Sequence, residues 1–415
     1  MPKKYLNKDV LTAARERIAF TFDWFEKVSF SFSGGKDSTV GLHLVMEEAI
    51  KRGRKVNLLF IDMEAQYKAT IDHLEQMYDE YWEYIVPYWV ALPLSLRNAV
   101  SVYEPKWTCW DKDKKEKWIR KPPEYAITDY DYFDFFEYGM EFEEFVPKFN
   151  QWISQEGFNG DGVGYLSASI VSIRSDESLN RYRTIANKSK NTFSGKQWTT
   201  WEDKSCYSVY PIYDWRTEDI WRYIGKYGKP YNTIYDLMHQ AGLSIHQARL
   251  CQPYGDDQRK GLYLYQVLEP DTWGKVVARV NGANSGALYS KESGNINGTI
   301  KVKKPEGHTW ETFSEMLLNS MPKETAEHYR NKIAVFLNWW YQRGYQNGIP
   351  DEADPKKENS KGVPSWRRIA KTLLRNDYWC KGLSFSQHKS GAYEAYKERM
   401  KKNRAEWDHL NEIVQ

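Results

Sequence analysis

A turn near residue 35 gathers the residue types that bind phosphate groups. Its sequence, SGGKDS at residues 33–38, places two glycines, a lysine, an aspartate and two serines side by side, and Thr39 adds a third hydroxyl. Glycines let an anion approach the backbone closely, and a lysine neutralises its charge. An aspartate has a role in such a turn if the phosphates carry Mg²⁺, which prefers oxygen ligands. The turn therefore predicts a site for a magnesium-bound phosphate.

The flanking sequence predicts a strand before this turn and a helix after it. Apolar residues alternate over residues 28–32 as in a strand, and a helical pattern then runs to Gly53, a plausible stop. A helix N-terminus offers free N–H groups and a favourable dipole to an anion. The ordinary P-loop is excluded, because Phe30 stands where its first glycine belongs and Asp37 follows the lysine.

Two later apolar runs are each followed by residues that could contact a ligand. Val56–Ile61 predicts a buried parallel strand and is followed by Asp62 and Met63. Ligands bind at the carboxyl edge of parallel sheets, so both residues are candidate contacts, although Asp62 could equally cap the next helix. Residues 163–173 predict another strand, followed by Arg174, whose guanidinium can bind two oxygens at once.

Three segments carry a resemblance to a known family. SGGKDS matches the SGGxDS signature of the PP-loop superfamily, the ATP pyrophosphatases and relatives that include phosphoadenosine-phosphosulfate (PAPS) reductases. Residues 174–178 and 211–221 resemble segments of the reductase-like core, and the resemblance covers roughly residues 20–265. It is closest to IbrA-like proteins (immunoglobulin-binding regulator A type), which have an extra C-terminal region and are associated with a ParB/sulfiredoxin-like protein partner.

This resemblance implies an α/β fold, a mostly parallel twisted sheet with helices on both faces, of the PP-loop or adenine nucleotide alpha hydrolase type. Residues 1–100 and 160–265 would form the nucleotide-binding core, and residues 266–415 a mainly helical C-terminal domain. Residues 101–159 would be an aromatic and charged insertion that shapes substrate choice. For most of this insertion we favour a solvated surface over a small aromatic core.

The resemblance also implies a reaction and its residues. ATP, or a PAPS-like adenine nucleotide, would bind with Mg²⁺, and the bond between the α- and β-phosphates would be cleaved by adenylyl transfer or pyrophosphate release. Lys36 would neutralise charge, Asp37 would hold the metal, and Arg174 would face the phosphates or an anionic substrate; these three are the predicted catalytic residues. The predicted nucleotide contacts are Ser33, Gly34, Gly35, Lys36, Asp37, Ser38, Thr39, Asp62, Met63, Arg174, Asp176, Glu177 and Arg181.

The cysteines argue against redox chemistry. Cys109, Cys206, Cys251 and Cys380 are far apart and form no CxxC pair, so no disulfide framework, zinc finger or iron–sulfur cluster is expected. The Glu-Cys-Gly-type motif of PAPS reductases is missing near the C-terminus. A true reductase is therefore the least favoured alternative. The main rival is a non-catalytic nucleotide-sensing module that acts on a protein or DNA.

Charge and hydropathy limit the possible partners. The net charge is only +3, so nucleic-acid binding is possible but would need a local basic patch. One candidate patch is the helix with Arg367, Arg368, Lys371 and Arg375, for which we favour a solvated face over contact with a phosphate backbone. No apolar run is long enough to cross a membrane, and residues 1–20 lack the apolar region of a signal peptide. We expect a cytoplasmic protein.

Overall fold

The chain divides into two compact units. The first comprises Met1–Arg97 and Lys106–Ala283, and the second Asn98–Pro105 and Asn284–Gln415. The predicted division differed in two respects, since it separated the insertion from the core and placed the C-terminal boundary near residue 266. The computed structural model describes residues 7–101, 103–158, 164–255, 262–283, 304–359 and 361–383.

A six-stranded sheet forms the centre of the first unit. Its strands are β1 Lys27–Ser31, β2 Val56–Ile61, β3 Ile85–Val90, β6 Ser167–Ile170, β7 Thr199–Asp203 and β8 Cys206–Val209, in the order β3-β2-β1-β6-β8-β7. Only β7 is antiparallel to its neighbour. A separate antiparallel ribbon pairs β4 Ser95–Arg97 with β5 Lys106–Thr108. The predicted α/β fold with a mostly parallel sheet is confirmed.

The strand register brings the carboxyl ends of the central strands together. Phe30 in β1 lies opposite Leu58 in β2 and Ile170 in β6. The turn after β1 therefore emerges between the ends of its two neighbours. The strand predicted over residues 163–173 is shorter in the structure, where β6 spans only Ser167–Ile170. Val163 lies outside the described residues.

Helices pack around this sheet, and the described part of the second unit is mainly helical. Helix α2, Lys36–Arg52, ends where predicted, at Gly53 with a φ of +61°. None of the helices in the described ranges combines the length and apolar character that crossing a bilayer requires. In the first unit the helices are α1 Val10–Trp24, α2 Lys36–Arg52, α3 Lys68–Tyr81, α4 Phe142–Gln155, α5 Leu179–Ala186, α6 Thr217–Tyr227, α7 Ile234–Gln240, α8 Leu262–Leu268 and α9 Pro270–Arg279. In the second they are α10 Trp310–Asn319, α11 Lys323–Tyr341, α12 Pro355–Asn359 and α13 Trp366–Leu374.

The insertion contains the expected aromatic core. Phe133, Phe145 and Phe149 are buried, and the ring centroids of Phe133 and Phe145 lie 5.3 Å apart in an edge-to-face arrangement. Residues 112–117, four of which are lysines, are exposed. Both observations agree with the favoured interpretation of this segment, a solvated surface over aromatic packing.

The basic helix α13 of the second unit is not the solvated face that we expected. Arg368 is buried, and its guanidinium donates to the carbonyl of Gly382 at 3.0 Å. Arg367 donates to the carboxylate of Glu358 at 3.0 Å, and Lys371 lies 3.7 Å from the same carboxylate. The expectation was wrong because the buried carboxylate of Glu358 needs cationic partners, which Arg367 and Lys371 supply, while Arg368 binds backbone carbonyls of the same unit.

Candidate phosphate-binding site

The turn between β1 and α2 has a backbone that only glycine can adopt without strain. Gly34 has a φ of +69°, and a Cβ there would lie 2.9 Å from Cγ2 of Thr70. The Asn232 side-chain amide donates to the carbonyl of Gly34 at 2.9 Å. Gly35 is the N-cap of α2 and provides no side-chain cap. The turn before α2 therefore has a fixed conformation. The first N–H groups of α2, which have no intrahelical partner, directly follow it.

The hydroxyls of the turn divide between two environments. The Ser33 and Ser38 oxygens lie 3.0 Å apart, and Ser38 also donates to the carbonyl of Gly35 at 2.9 Å. Thr39 is wholly buried, and its hydroxyl lies 2.9 Å from Nε2 of His73. Burial lowers the pKa of His73 to about 4, so that its ring is neutral at pH 7. The two serines are therefore at the turn, while the Thr39 hydroxyl is engaged inside the protein.

A buried ion pair joins α2 to the segment after β6. Nε of Arg174 donates to Oδ1 of Asp37 at 2.6 Å, and Nη1 donates to Asp176 at 2.7 Å. Burial alone would lower the pKa of Arg174, but the adjacent Asp37 carboxylate raises that pKa above its ordinary value. The second oxygen of Asp37 lies 3.5 Å from Nζ of Lys36. All three predicted catalytic residues are thus brought together.

Glu177 extends this arrangement to two further arginines. One carboxylate oxygen accepts from Arg181, and the other accepts from Nη2 of Arg249 at 3.2 Å. Arg249 was not among the predicted site residues. No local pattern predicts its role, since its position beside Glu177 depends on how two segments 72 residues apart fold together. We call the set the arginine–carboxylate cluster: Asp37, Arg174, Asp176, Glu177, Arg181 and Arg249.

Two more residues that sequence reasoning missed contact Lys36. Its backbone N–H donates to the hydroxyl of Tyr235 at 3.0 Å, and its Nζ donates to the carbonyl of Ala248 at 3.4 Å. The Nζ also lies 5.4 Å from the centre of the Tyr235 ring. Lys36 is only 5% exposed as a result.

Asp62 and Met63 lie at the end of β2, but the Asp62 carboxylate is already engaged. It is wholly buried, accepting from Nε1 of Trp89 at 2.7 Å and from the N–H of Glu64 at 2.9 Å, and it pairs with Arg120 of the insertion. Met63 is half-buried beside it. Their predicted contact with a nucleotide stays a prediction.

The alternative role of Asp62, as a helix cap, is wrong. Helix α3 begins at Lys68 with Tyr67 as its N-cap. The N–H groups of Lys68 and Ala69 instead donate to the two carboxylate oxygens of Glu269 at 2.8 and 3.0 Å. A carboxylate suits this place, because the first turn of a helix has unpaired N–H groups and a positive dipole.

Residues 262–283 contact the loop between β2 and α3 through an ion pair and a ring stack. Nε and Nη2 of Arg279 donate to the two carboxylate oxygens of Glu64 at 2.8 and 3.1 Å, and both side chains are buried. The ring of Tyr265 stacks on Tyr67 at 4.1 Å. These contacts explain why the first unit extends to Ala283 rather than ending near residue 266.

The side chains of the site would suit a metal ion that binds together with the phosphates of a nucleotide. Among the described residues there is no group of three or more His, Cys, Asp or Glu side chains that could hold a metal ion. Mg²⁺ at nucleotide sites is commonly bound by one or two carboxylates together with substrate phosphates. Oδ1 of Asp37 is bound by Arg174, so Oδ2 is the oxygen that could serve as such a ligand.

Three of the four thiols lie in environments unsuited to nucleophilic chemistry. Cys109, Cys206 and Cys380 are buried, and burial raises the pKa of each, that of Cys380 to about 12. The thiolate is the reactive form of cysteine, so these three remain protonated at neutral pH. Cys251 is half-buried.

Family models match two successive parts of the chain. The phosphoadenosine phosphosulfate reductase domain matches residues 27–126 and 162–241, which include the turn and β6. A domain of unknown function, DUF3440, matches residues 242–349. Ala248 and Arg249 therefore belong to the DUF3440 match, although they contact the turn and the cluster described above.

Complete proteins and solved structures show similarity over larger parts of the chain. The Candida auris PAPS reductase in its phosphate complex is 16% identical, covering 55% of this chain and 85% of that chain with a TM-score of 0.31. MJ0066 of Methanocaldococcus jannaschii is 26% identical over 226 residues, 54% of this chain and 37% of that protein. YbdN of Escherichia coli (strain K12) is 45% identical over 405 residues, 97% of each chain. The chain belongs to the PAPS reductase-like group of the PP-loop superfamily and carries a DUF3440 domain.

Proposed function

We propose that this protein binds ATP with Mg²⁺ and cleaves the bond between the α- and β-phosphates. An oxygen or nitrogen nucleophile of an acceptor, or water, attacks the α-phosphorus. The bond from that phosphorus to the bridging oxygen breaks, and pyrophosphate leaves with the electron pair. The observation that carries the proposal is the glycine turn at the N-terminus of α2, with the Arg174–Asp37 ion pair of 2.6 Å beside it.

The residues at the turn are suited to positioning and charge neutralisation, which dominate phosphoryl chemistry. The N–H groups of Gly34 and Gly35 and the hydroxyls of Ser33 and Ser38 bind the departing phosphates. The cationic side chains of the site neutralise the charge that develops on them. Mg²⁺ held by Asp37 supplies further neutralisation of the leaving group when it is bound. Together these groups stabilise pyrophosphate as it leaves.

Reduction of PAPS fits the site less well. That reaction needs a thiolate at the substrate, whereas the pKa values of Cys109, Cys206 and Cys380 are raised by burial. We therefore place the activity among the adenylyl-transferring or pyrophosphate-releasing reactions.

A nucleotide-sensing role without turnover is the second candidate. Within the DUF3440 match, Ala248 accepts a hydrogen bond from Lys36 and Arg249 donates one to Glu177. A nucleotide that displaces either contact would alter the start of that domain, and a ParB/sulfiredoxin-like protein partner, or DNA, could then respond. In this case ATP would bind and remain intact.

Product analysis with α-labelled ATP separates the two candidates. The full chain is incubated with Mg²⁺ and ATP, alone and with a ParB-like protein, beside Asp37→Ala and the control Asp72→Ala. Asp72 is an exposed carboxylate paired with Lys68. We expect labelled AMP or an adenylated product, plus pyrophosphate, from wild type and the control only. Tight binding of ATP that stays intact in every mixture would favour sensing.

A further inference from the structure

A tyrosine outside every predicted motif lies over the phosphate-binding turn. Tyr235, in α7, accepts the N–H of Lys36 on its hydroxyl oxygen at 3.0 Å. A Cβ placed on Gly35 would lie 3.5 Å from the same oxygen. Tyr235 is 4% exposed. Its hydroxyl is therefore buried against the two residues at which α2 begins.

The hydroxyl of Tyr235 still has a proton to donate. A phenol donates one hydrogen bond and can also accept. Within the described ranges, this oxygen accepts from Lys36 and its O–H has no acceptor. Burial raises the pKa of Tyr235, so the group stays protonated at neutral pH. A buried donor without an acceptor is unfavourable, and a phosphate oxygen at the turn would accept this hydrogen bond.

The ring of Tyr235 is held in place before any ligand arrives. The indole of Trp221 packs on it edge-to-face at 5.5 Å and 80°. Nearby in sequence, Asn232 bonds both the carbonyl of Gly34 and the hydroxyl of Thr70 at 2.9 Å. The start of α7 is thus tied to the turn on two sides, and the hydroxyl needs little ordering to meet an anion.

We propose that Tyr235 is a phosphate-binding residue, whose hydroxyl accepts the N–H of Lys36 and donates its own proton to a phosphate oxygen of the bound nucleotide. The inference rests on the proposed nucleotide binding at this turn. The chemical group that it recognises is the pyrophosphate part of ATP, which free inorganic pyrophosphate shares.

Tyr235→Phe tests this directly, with Tyr231→Phe as a matched control. The first removes the hydroxyl and keeps the ring. The second removes a hydroxyl that bonds the surface carboxylate of Asp236, from a ring that also packs edge-to-face on Trp221, at 5.4 Å and 89°. Calorimetric titration of each full-length variant with magnesium ATP, and separately with magnesium pyrophosphate, gives the dissociation constants. We expect Tyr235→Phe to weaken both ligands about tenfold or more, and the control to stay within about twofold.

Each other outcome has a defined meaning. Unchanged affinities in Tyr235→Phe would overturn this inference and leave the proposed function intact. Tighter binding would also overturn it, because the hydroxyl would then compete with phosphate for the N–H of Lys36. A wild-type chain that binds neither ligand would overturn both proposals.

A measurement on the wild-type protein gives the same test without a substitution. Amide hydrogen exchange of residues 232–240 is compared with and without magnesium pyrophosphate. Slower exchange is expected if the Tyr235 hydroxyl holds the phosphate, whereas faster exchange would show that the ligand displaces α7 and would overturn the inference. Thermal unfolding of both variants confirms that each is folded.

Discussion

Arg174 and Asp37 form a buried ion pair of 2.6 Å between residues that are 137 positions apart in the chain. The pair connects the segment after β6 with the first turn of α2, where the glycine turn ends. Because Arg174 also bonds Asp176, its guanidinium has a fixed orientation before a ligand binds. The same contact thus stabilises the fold and preorganises a cation at the proposed site.

Arg174→Met should reduce both stability and turnover. It removes the closer of the two cations beside the largely buried Asp37 and leaves only Lys36, at 3.5 Å, so we expect the free energy of unfolding to fall by about 2–4 kcal/mol. ATP turnover should fall at least about 100-fold, since a preorganised charge at the phosphates is lost. The double variant with Asp37→Asn should regain part of the stability and none of the turnover. Full recovery of turnover in the double variant would show that the pair has only a structural role.

A comparison of Gly34→Ala with Gly53→Ala separates the cost of a positive φ from the effect of a Cβ atom that crowds the turn. Both glycines have positive φ, +69° and +61°, but a Cβ at Gly34 meets Thr70 at 2.9 Å while one at Gly53 meets nothing within 4 Å. We expect Gly53→Ala to cost about 1 kcal/mol and to keep ATP affinity. Gly34→Ala should cost more and abolish detectable ATP binding in a titration. Equal effects of the two variants would contradict the assigned role of the turn.

The buried ring of His73 predicts a defined pH dependence of stability. Its pKa is about 4 in the folded protein against 6.5 as the ordinary value, so the unfolded chain binds more protons between these pH values. Stability from this group is therefore complete above pH 6.5 and is lost as the pH falls towards 4. Between pH 7 and pH 5 the loss should be about 2 kcal/mol.

His73→Gln should remove this contribution while keeping a hydrogen-bonding side chain near Thr39. Denaturant unfolding at pH 7 and pH 5 measures the difference between the variant and wild type. The pKa of His43 is also lowered by burial, so some pH dependence of the same sign should remain in the variant. An unaltered slope in the variant would contradict the neutral state assigned to the His73 ring.

Arg279→Met should destabilise the first unit even though it lies beyond the matched reductase domain. The wholly buried carboxylate of Glu64 would lose its cation, at a cost of about 3–5 kcal/mol. The paired substitution with Glu64→Gln should recover part of this loss in denaturant unfolding. A neutral effect of Arg279→Met would mean that residues 262–283 do not stabilise the nucleotide-binding core.

The sequence predicted those features that lie in short contiguous segments. The SGGKDS turn, the strands around it and the stop at Gly53 each depend on neighbouring residues, and the structure has them where expected. The parallel sheet then explains why Arg174, which follows β6, reaches the turn after β1. That step needed only the rule that ligands bind at the carboxyl edge of such sheets.

What the sequence could not predict depends on segments that meet only in the folded chain. Tyr235 and Ala248 lie about 200 residues from Lys36, and no spacing rule connects them. Adjacency made Asp62 one of two alternatives, a ligand contact or the cap of α3, whereas Glu269 supplies that cap across 201 positions. Arg367 and Lys371 of α13 looked solvated because the buried carboxylate of Glu358, which pairs with both, could not be recognised in the sequence.

The central claim concerns which bond of ATP is broken, and two analogues test it directly. The α,β-methylene analogue cannot be cleaved between its α- and β-phosphates, and the β,γ-methylene analogue cannot be cleaved between its β- and γ-phosphates. Each analogue is incubated with the protein and Mg²⁺ under the conditions in which ATP is consumed, and phosphorus NMR identifies the products. We predict that the β,γ-methylene analogue yields AMP or an adenylated product and methylene diphosphonate, while the α,β-methylene analogue stays intact. Release of inorganic phosphate from the α,β-methylene analogue, with the other analogue unchanged, would contradict the proposed function.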